Sequence, residues 1–260
     1  MIHPLTNIDS KARIAKGVTV ESFTTISGDV EIGEGTWIGP NVTIMDGARI
    51  GKNCNIFPGA VISAIPQDLK YRGEETLALI GDNVLIRECV TINKGTAALG
   101  HTKVGNNCLL MAYVHVAHDC VVGNSVILVN SVNLAGEITV GDFAYIGGMV
   151  GVHQFVNIGA YTMVQGGSMV GQDVPPFVMA GRYPVQYTGL NVIGLRRRGF
   201  ENKRIDQIHE VYRMIYNQGL NTTQALEEII KILPASEDRD EIVGFISKSK
   251  RGIIKGYLED

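Results

Sequence analysis

The chain has 260 residues, of which 45% are apolar, only 7% aromatic and 31 are glycine, a composition that admits a sizeable core with many tight turns and few bulky layers. Its formal net charge of −3 supplies no general counterion for phosphate, which argues against wholesale nucleic-acid binding. The opening MIHPLTNIDSKARIAKG lacks the basic and apolar regions of a secretory signal, no run reaches the ~18 apolar residues of an integral membrane segment, and the four cysteines avoid CxxC spacing, so a cytoplasmic protein is expected.

From the N-terminus, an aliphatic residue recurs every sixth position. Counting from Ile2, eleven successive positions are Ile or Val, ending at Ile62. The same register returns at Ile80, Ile86 and Ile92, then runs unbroken from Val104 to Val170, which makes 26 hexads in all. Position five is mostly small or β-branched (Val18, Val30, Thr36, Val42, Cys54, Ala60, Cys108, Cys120), and position four is often Gly or Asn (Gly17, Gly35, Asn41, Gly47, Asn53). Side chains alternate across a strand, so positions one and five face inward around an outward position six. Gly and Asn tolerate positive φ, so position four predicts a corner. One hexad is then a short strand and a turn, too small to bury its aliphatic residue alone; stacked coils bury a continuous column. A β-sandwich with regular turns would not hold one register for so long.

A period of six resembles the hexapeptide-repeat proteins. That resemblance implies a triangular, left-handed parallel β-helix with three hexads per coil, a mainly β fold expected over residues 1–190, with a C-terminal α-helical domain over 191–260. Two segments break the register and predict loop excursions. Residues 64–79 would otherwise bury Asp68 and Glu74, and residues 98–103 (ALGHTK) form a shorter departure. Loops of this kind on a regular scaffold carry function. After Pro175–Pro176 the periodicity becomes helical: Ile205, Ile208, Val211, Tyr212 and Ile215 in one helix, Leu226, Ile229, Ile230 and Leu233 in a second that stops at Pro234, and Ile242 and Ile246 in a third starting near Ser236.

With eighteen residues per coil, residues eighteen apart stack about 4.8 Å apart along the axis. His118 then stacks on Gly136 and Gly136 on Gln154; Ala117, Ala135 and His153 form the neighbouring column, and His115 projects outward beside Asn133. An imidazole can take a proton at neutral pH, and a bare glycine amide can approach an oxyanion closely. Together they suit deprotonation of a hydroxyl or amine for attack on a thioester, with Asp119 placed to orient the ring. The alternatives are a solvated histidine or a zinc site like that of the hexapeptide-repeat carbonic anhydrases, whose wider histidine spacing His115-x-x-His118 does not match; no metal is expected. Cys54, Cys108 and Cys120 at position five predict core filler.

The segments PQDLKY (66–71), IRECVTINKGT (86–96), HVAHDC (115–120), IGGMVGVHQF (146–155), QDVPPFV (172–178) and GLRRRGF (194–200) occur in this order. Together they resemble the UDP-N-acetylglucosamine O-acyltransferases that begin lipid A, and hence lipopolysaccharide, assembly, over nearly the whole chain. The resemblance implies that His118 removes the proton of the glucosamine 3-hydroxyl, that Asp119 supports it, and that the Gly136 N–H receives the oxyanion. It further implies that Asp68, Lys70, His115, His153 and Gln154 lie near the sugar and diphosphate, and that Asn191, Arg197 and Arg198 lie at the nucleotide end. It implies an acyl-chain groove past Gly148 and Gly166, a 3-hydroxyacyl donor on the phosphopantetheine of acyl carrier protein with no other cofactor, and a homotrimer with sites between subunits. Two positions depart from the family pattern: Glu137 stands where several members have histidine, and Ile193 where many have glutamate. Within residues 196–204, five basic residues offer either an acidic-carrier contact or phosphate and helix contacts. Alternatives are a related hexapeptide-repeat enzyme N-acylating a 3-amino UDP-sugar, an acetyl-CoA-dependent transferase with a shorter β-helix, and a catalytically silent scaffold.

Overall fold

The computed structural model describes residues 1–256 and winds the hexads into three parallel sheets. Successive strands, most of them two residues long, join the three sheets in turn, so each sheet collects every third strand. The first face begins at Asn7–Ile8 and passes through His115–Val116 to Met169–Val170. The second runs from Arg13–Ile14 to Asn157–Ile158, and the third from Thr19–Val20 through Met163–Val164. This is a left-handed parallel β-helix, as the hexad resemblance implied.

Two-residue strands have no stability of their own; they persist because each coil templates the next. Positions one and five fill the interior: Ile38, Ile56, Leu110 and Leu128 are fully buried, as are Val42, Cys54, Ala60 and Val114. Cys108 and Cys120 join them, and burial pushes the Cys120 thiol up to about 12, which leaves it inert as filler. Because every coil leans on its neighbours, a hole in one layer has little room to collapse. Leu128→Ala is expected to cost about 2–5 kcal/mol of stability, read as a lowered midpoint in chemical denaturation at unchanged slope.

The left-handed corner is not confined to Gly and Asn. Phe23, Tyr113, Asp119, Glu137, Phe143 and Tyr161 all occupy it, with φ between 57° and 64°. Stacking overdetermines the backbone there and overrides the local steric cost, so position four accepts functional side chains.

The first excursion is shorter than its register break, and the second is displaced toward the N-terminus of its own. Leu77–Ile80 and His101–Val104 are wall strands paired with each other along their whole length, so the loops span 65–76 and 94–100 rather than 64–79 and 98–103. Ala78 and Thr102 fill inward positions there, although the leading residues of their hexads have left the wall. Ile50 pairs with Ile80, thirty positions on, and Ile80 with Val104, twenty-four on, against the usual eighteen. Each insertion is a whole number of hexads, which is why the count in sixes survives both.

The wall also continues past Pro175–Pro176. Val178–Gly181 pairs in parallel with Met163–Val164 and turns back into the antiparallel strand Gln186–Leu190. A short helix absent from the sequence expectations, α1 (Val192–Arg197), precedes α2 (Asn202–Asn217), α3 (Thr222–Ile232) and α4 (Glu237–Lys248). Ile205, Ile208, Val211, Tyr212 and Ile215 of α2, Leu226 and Ile229 of α3, and Ile242 and Ile246 of α4 are buried as their spacing predicts, whereas Ile230 is exposed. Ser236 caps α4 by accepting from Arg239 N, and Asn221 and Gln224 form a capping box on α3. The tail then returns to the β-helix: Lys255–Gly256 adds to Gln186–Leu190, and the buried Asp173 carboxylate accepts from Asn157 N at 2.7 Å and Ser249 Oγ at 2.6 Å. The helical unit expected over 191–260 is thus stitched to the last coil; residues 257–260 lie outside the described residues.

Candidate active site

Just past the strand His115–Val116, the corner between the first and second faces carries His118 and Asp119, only 7% and 4% exposed. His118 Nδ1 lies 2.8 Å from Asp119 Oδ2. The carboxylate has three further partners: Thr96 Oγ1 donates to Oδ2 at 2.7 Å, and the Thr96 and Leu99 amides donate to Oδ1 at 3.0 and 3.2 Å. The Asp119 amide in turn donates to Thr102 Oγ1 at 2.8 Å. Burial alone would raise the Asp119 pKa, but hydrogen bonds from Thr96 and His118 outweigh it and hold the carboxyl below its ordinary value. An ionised carboxylate only accepts, so His118 Nδ1 carries the proton and Nε2 is left with its lone pair free. That is the tautomer a general base requires.

One coil further on, Gly136 lies directly against the ring. A Cβ there would stand 2.4 Å from His118 Cε1 and 2.6 Å from Nε2. Only a glycine leaves room for the imidazole, and the same bareness opens the backbone to a ligand at Nε2. Glu137 donates its amide to the His118 carbonyl at 3.0 Å and accepts from Gln154 Nε2 at 3.3 Å, so Gln154 follows Gly136 in the column, as the eighteen-residue step predicts.

His115 and His153 line a shared groove of about 570 Å³ on the first face, with Asn133, Ala135 and Met169. His115 Nδ1 is 2.7 Å from Thr91 Oγ1, and burial, followed by the neighbouring His118, pushes its pKa below the usual histidine value. Asp68 and Lys70 occupy the first excursion, where Asp68 Oδ1 accepts from the Lys70 amide at 2.9 Å and closes a turn. That loop is rooted one coil below His118: Asn93 Nδ2 donates to the Ile65 carbonyl at 3.1 Å, and the Lys94 ammonium sits 5.9 Å from the centre of the Tyr71 ring.

The remaining candidates lie elsewhere on the prism. Asn191, Arg197 and Arg198 line a cavity of about 540 Å³ over the third face, with Ile193, Tyr161 and Met163. The Asn191 side chain is already engaged there: Oδ1 accepts from Gly194 N at 3.2 Å to cap α1, and Nδ2 donates to the Tyr161 carbonyl at 2.9 Å. It therefore builds the cavity wall. Arg198 lies over the Phe143 ring at 4.4 Å. Of the other basic residues, Arg204 is paired with Asp238 at 2.7 and 2.8 Å and stacked on Phe200, a contact within the tail. Gly148 and Gly166 succeed each other on the corner between the third and first faces, where a Cβ on Gly166 would meet the Gly148 carbonyl oxygen at 3.1 Å, the Gly148 amide nitrogen at 3.5 Å and the Gly147 carbonyl carbon at 3.9 Å.

Thr96, Thr102, Thr91 and Lys94 escaped the sequence reading. The available signal was the position of the second excursion, one coil before HVAHDC, with the hydroxyl residues Thr96 and Thr102 beside and within it.

A family model described as UDP-N-acetylglucosamine O-acyltransferase, domain 2, matches residues 173–254, and the bacterial transferase hexapeptide model matches residues 29–64 and 101–136. An acyl-[acyl-carrier-protein]–UDP-N-acetylglucosamine O-acyltransferase of Chlorobaculum parvum is 54% identical over 96% of both chains. A second, from Saccharophagus degradans, is 43% identical over 98% of this chain and 99% of its own. The crystal structure of a UDP-N-acetylglucosamine acyltransferase from Bacteroides fragilis superposes with a TM-score of 0.97 at 53% identity, covering 98% of this chain and all of that one. With identity at this level along the whole β-helix and tail, the chain belongs to the UDP-N-acetylglucosamine O-acyltransferase family.

Proposed function

We propose that the protein transfers a 3-hydroxyacyl chain from acyl carrier protein to the 3-hydroxyl of UDP-N-acetylglucosamine, with His118 as general base. The observation that carries this reading is the buried imidazole whose Nδ1 is bonded to Asp119 and whose Nε2 lies against bare Gly136. Nε2 takes the proton of the 3-hydroxyl as its oxygen attacks the thioester carbonyl. The Gly136 N–H receives the charge on the tetrahedral oxygen. Collapse breaks the C–S bond, and the imidazolium returns its proton to the departing thiolate. The acyl donor brings its own phosphopantetheine arm, so no separate cofactor enters the sequence.

Arg197 and Arg198 present guanidinium groups suited to a diphosphate, yet they lie over the third face while His118 sits on the corner between the first and second. Two copies placed side by side would unite these halves, which supports a homotrimer with each site shared between neighbours. Among the described residues no helix is long and apolar enough to cross a membrane, and all four cysteines are free thiols, which fits a cytoplasmic enzyme.

The reading is tested by mass spectrometry of the product formed from purified protein, UDP-N-acetylglucosamine and a panel of 3-hydroxyacyl carrier thioesters. An ester at the 3-hydroxyl is expected; no acylated UDP-sugar, or acylation only when a 3-amino UDP-sugar is offered in its place, would overturn it. The same panel tests the groove. Gly166 puts no side chain on its corner, so a preference for long chains is expected, and Gly166→Met should move the preferred donor to shorter ones by filling the space a long chain needs.

A further inference from the structure

The second excursion has a structural task that the catalytic reading by itself does not assign. At position four of a hexad the side chain points out of the corner: Phe23 is 63% exposed, Tyr113 64% and Met149 70%. Asp119 occupies the same position at 4%. The difference is the loop 94–100, which folds over this one corner and supplies Thr96 Oγ1, Thr96 N and Leu99 N to the carboxylate. The Thr96 hydroxyl accepts from the Ala98 amide at 3.1 Å, so its single proton is committed to Asp119. The loop is itself braced: Gly100 N donates to the Thr96 carbonyl at 2.7 Å, and Thr76 Oγ1 to the Gly95 carbonyl at 2.6 Å.

We propose that Thr96 is a positioning residue for acyl transfer, and that the loop 94–100 exists to clamp the Asp119 carboxylate in the orientation that keeps His118 in its Nδ1–H tautomer. This rests on His118 being the base. Asp119 Oδ2 is shared by Thr96 Oγ1 and His118 Nδ1, so the hydroxyl fixes the rotation of the carboxylate about its Cβ–Cγ bond. Without that hydrogen bond only the two amides on Oδ1 hold the carboxylate, Oδ2 is freed to shift away from Nδ1, and part of the population carries its proton on Nε2, where it cannot act as a base. Thr96 does not touch the reacting atoms, so binding of sugar and donor is untouched.

The test uses the full-length protein with Thr96→Val and Thr96→Ser. Valine keeps the shape and removes the hydroxyl; serine restores it. Thr96→Val is expected to lower kcat about ten- to hundredfold, the scale of one hydrogen bond to a charged group, while both KM values stay within about twofold. Nitrogen-15 spectra of labelled histidine should show the Nε2–H tautomer of His118 growing in Thr96→Val, and Thr96→Ser should return both kcat and spectrum to native. Native kcat and tautomer in Thr96→Val would overturn the proposal, as would a serine variant as impaired as the valine one, or a change confined to KM. His118→Ala, measured alongside, separates the two readings: if it is inactive while Thr96→Val is native, only the clamp fails, and if it retains full transfer, both fail.

Discussion

His118→Ala is expected to reduce acyl transfer about 10²- to 10⁴-fold, the usual contribution of a positioned general base, equivalent to roughly 3–5 kcal/mol of barrier. The side chain belongs to the corner and not to the aliphatic column, so the β-helix should fold around the substitution with its thermal midpoint little changed. Three observations set the size of the effect. The ring is almost fully buried, which gives bulk water little access to stand in for Nε2. Its tautomer is enforced by a carboxylate held ionised by its own hydrogen bonds. No second imidazole is poised to replace it: His115 is bonded to Thr91 and His153 is exposed, with its Nδ1 against the Gln154 carbonyl. Initial rates with UDP-N-acetylglucosamine and an acyl carrier thioester decide the matter. Full transfer by a folded His118→Ala variant would leave the mechanism without its centre.

Gly136→Ala should be almost as damaging, although it adds one methyl group and removes nothing. The Gly136 backbone lies outside the left-handed region, so alanine meets no conformational penalty of its own. The cost is steric: the new Cβ would stand 2.4 Å from His118 Cε1 and 2.6 Å from Nε2, well inside contact distance. The ring cannot retreat freely because Nδ1 is tied to Asp119, which the loop 94–100 holds in place. Displacement of the base by about 1 Å costs on the order of 10²-fold in rate, and the methyl also crowds the amide assigned to the oxyanion. The decrease should fall on kcat. Gly244→Ala on α4, where an added Cβ meets nothing within 4 Å, is the matched control and should be native in rate. A fully active Gly136→Ala enzyme would remove both the packing argument and the oxyanion assignment.

Much of this protein was legible in its sequence because a β-helix converts distance along the chain into distance along an axis. Six residues make a wall and eighteen make a coil, so Ile8, Ile26 and Ile44 had to stack, and His118, Gly136 and Gln154 had to share a corner. The helices of the tail were equally readable, since Ile205, Ile208, Tyr212 and Ile215 mark one face at helical spacing. Sequence failed where a contact obeys no period. Nothing in the register places Thr96 on Asp119, twenty-three positions away, because the loop that joins them leaves the lattice and returns on its own path. The reach of the wall back to Leu77 and His101 was hidden because the hexads concerned lead with Glu74 and Ala98, so only Ile80 and Val104 at its end announced the pairing. The bonds that Asn191 makes were equally hidden, since capping α1 and bonding the Tyr161 carbonyl depend on a turn that only packing creates. Periodic burial is a local property repeated, so the chain encodes it by itself; the orientation of one carboxylate depends on four donors from three places in the chain, and only the folded structure brings those together.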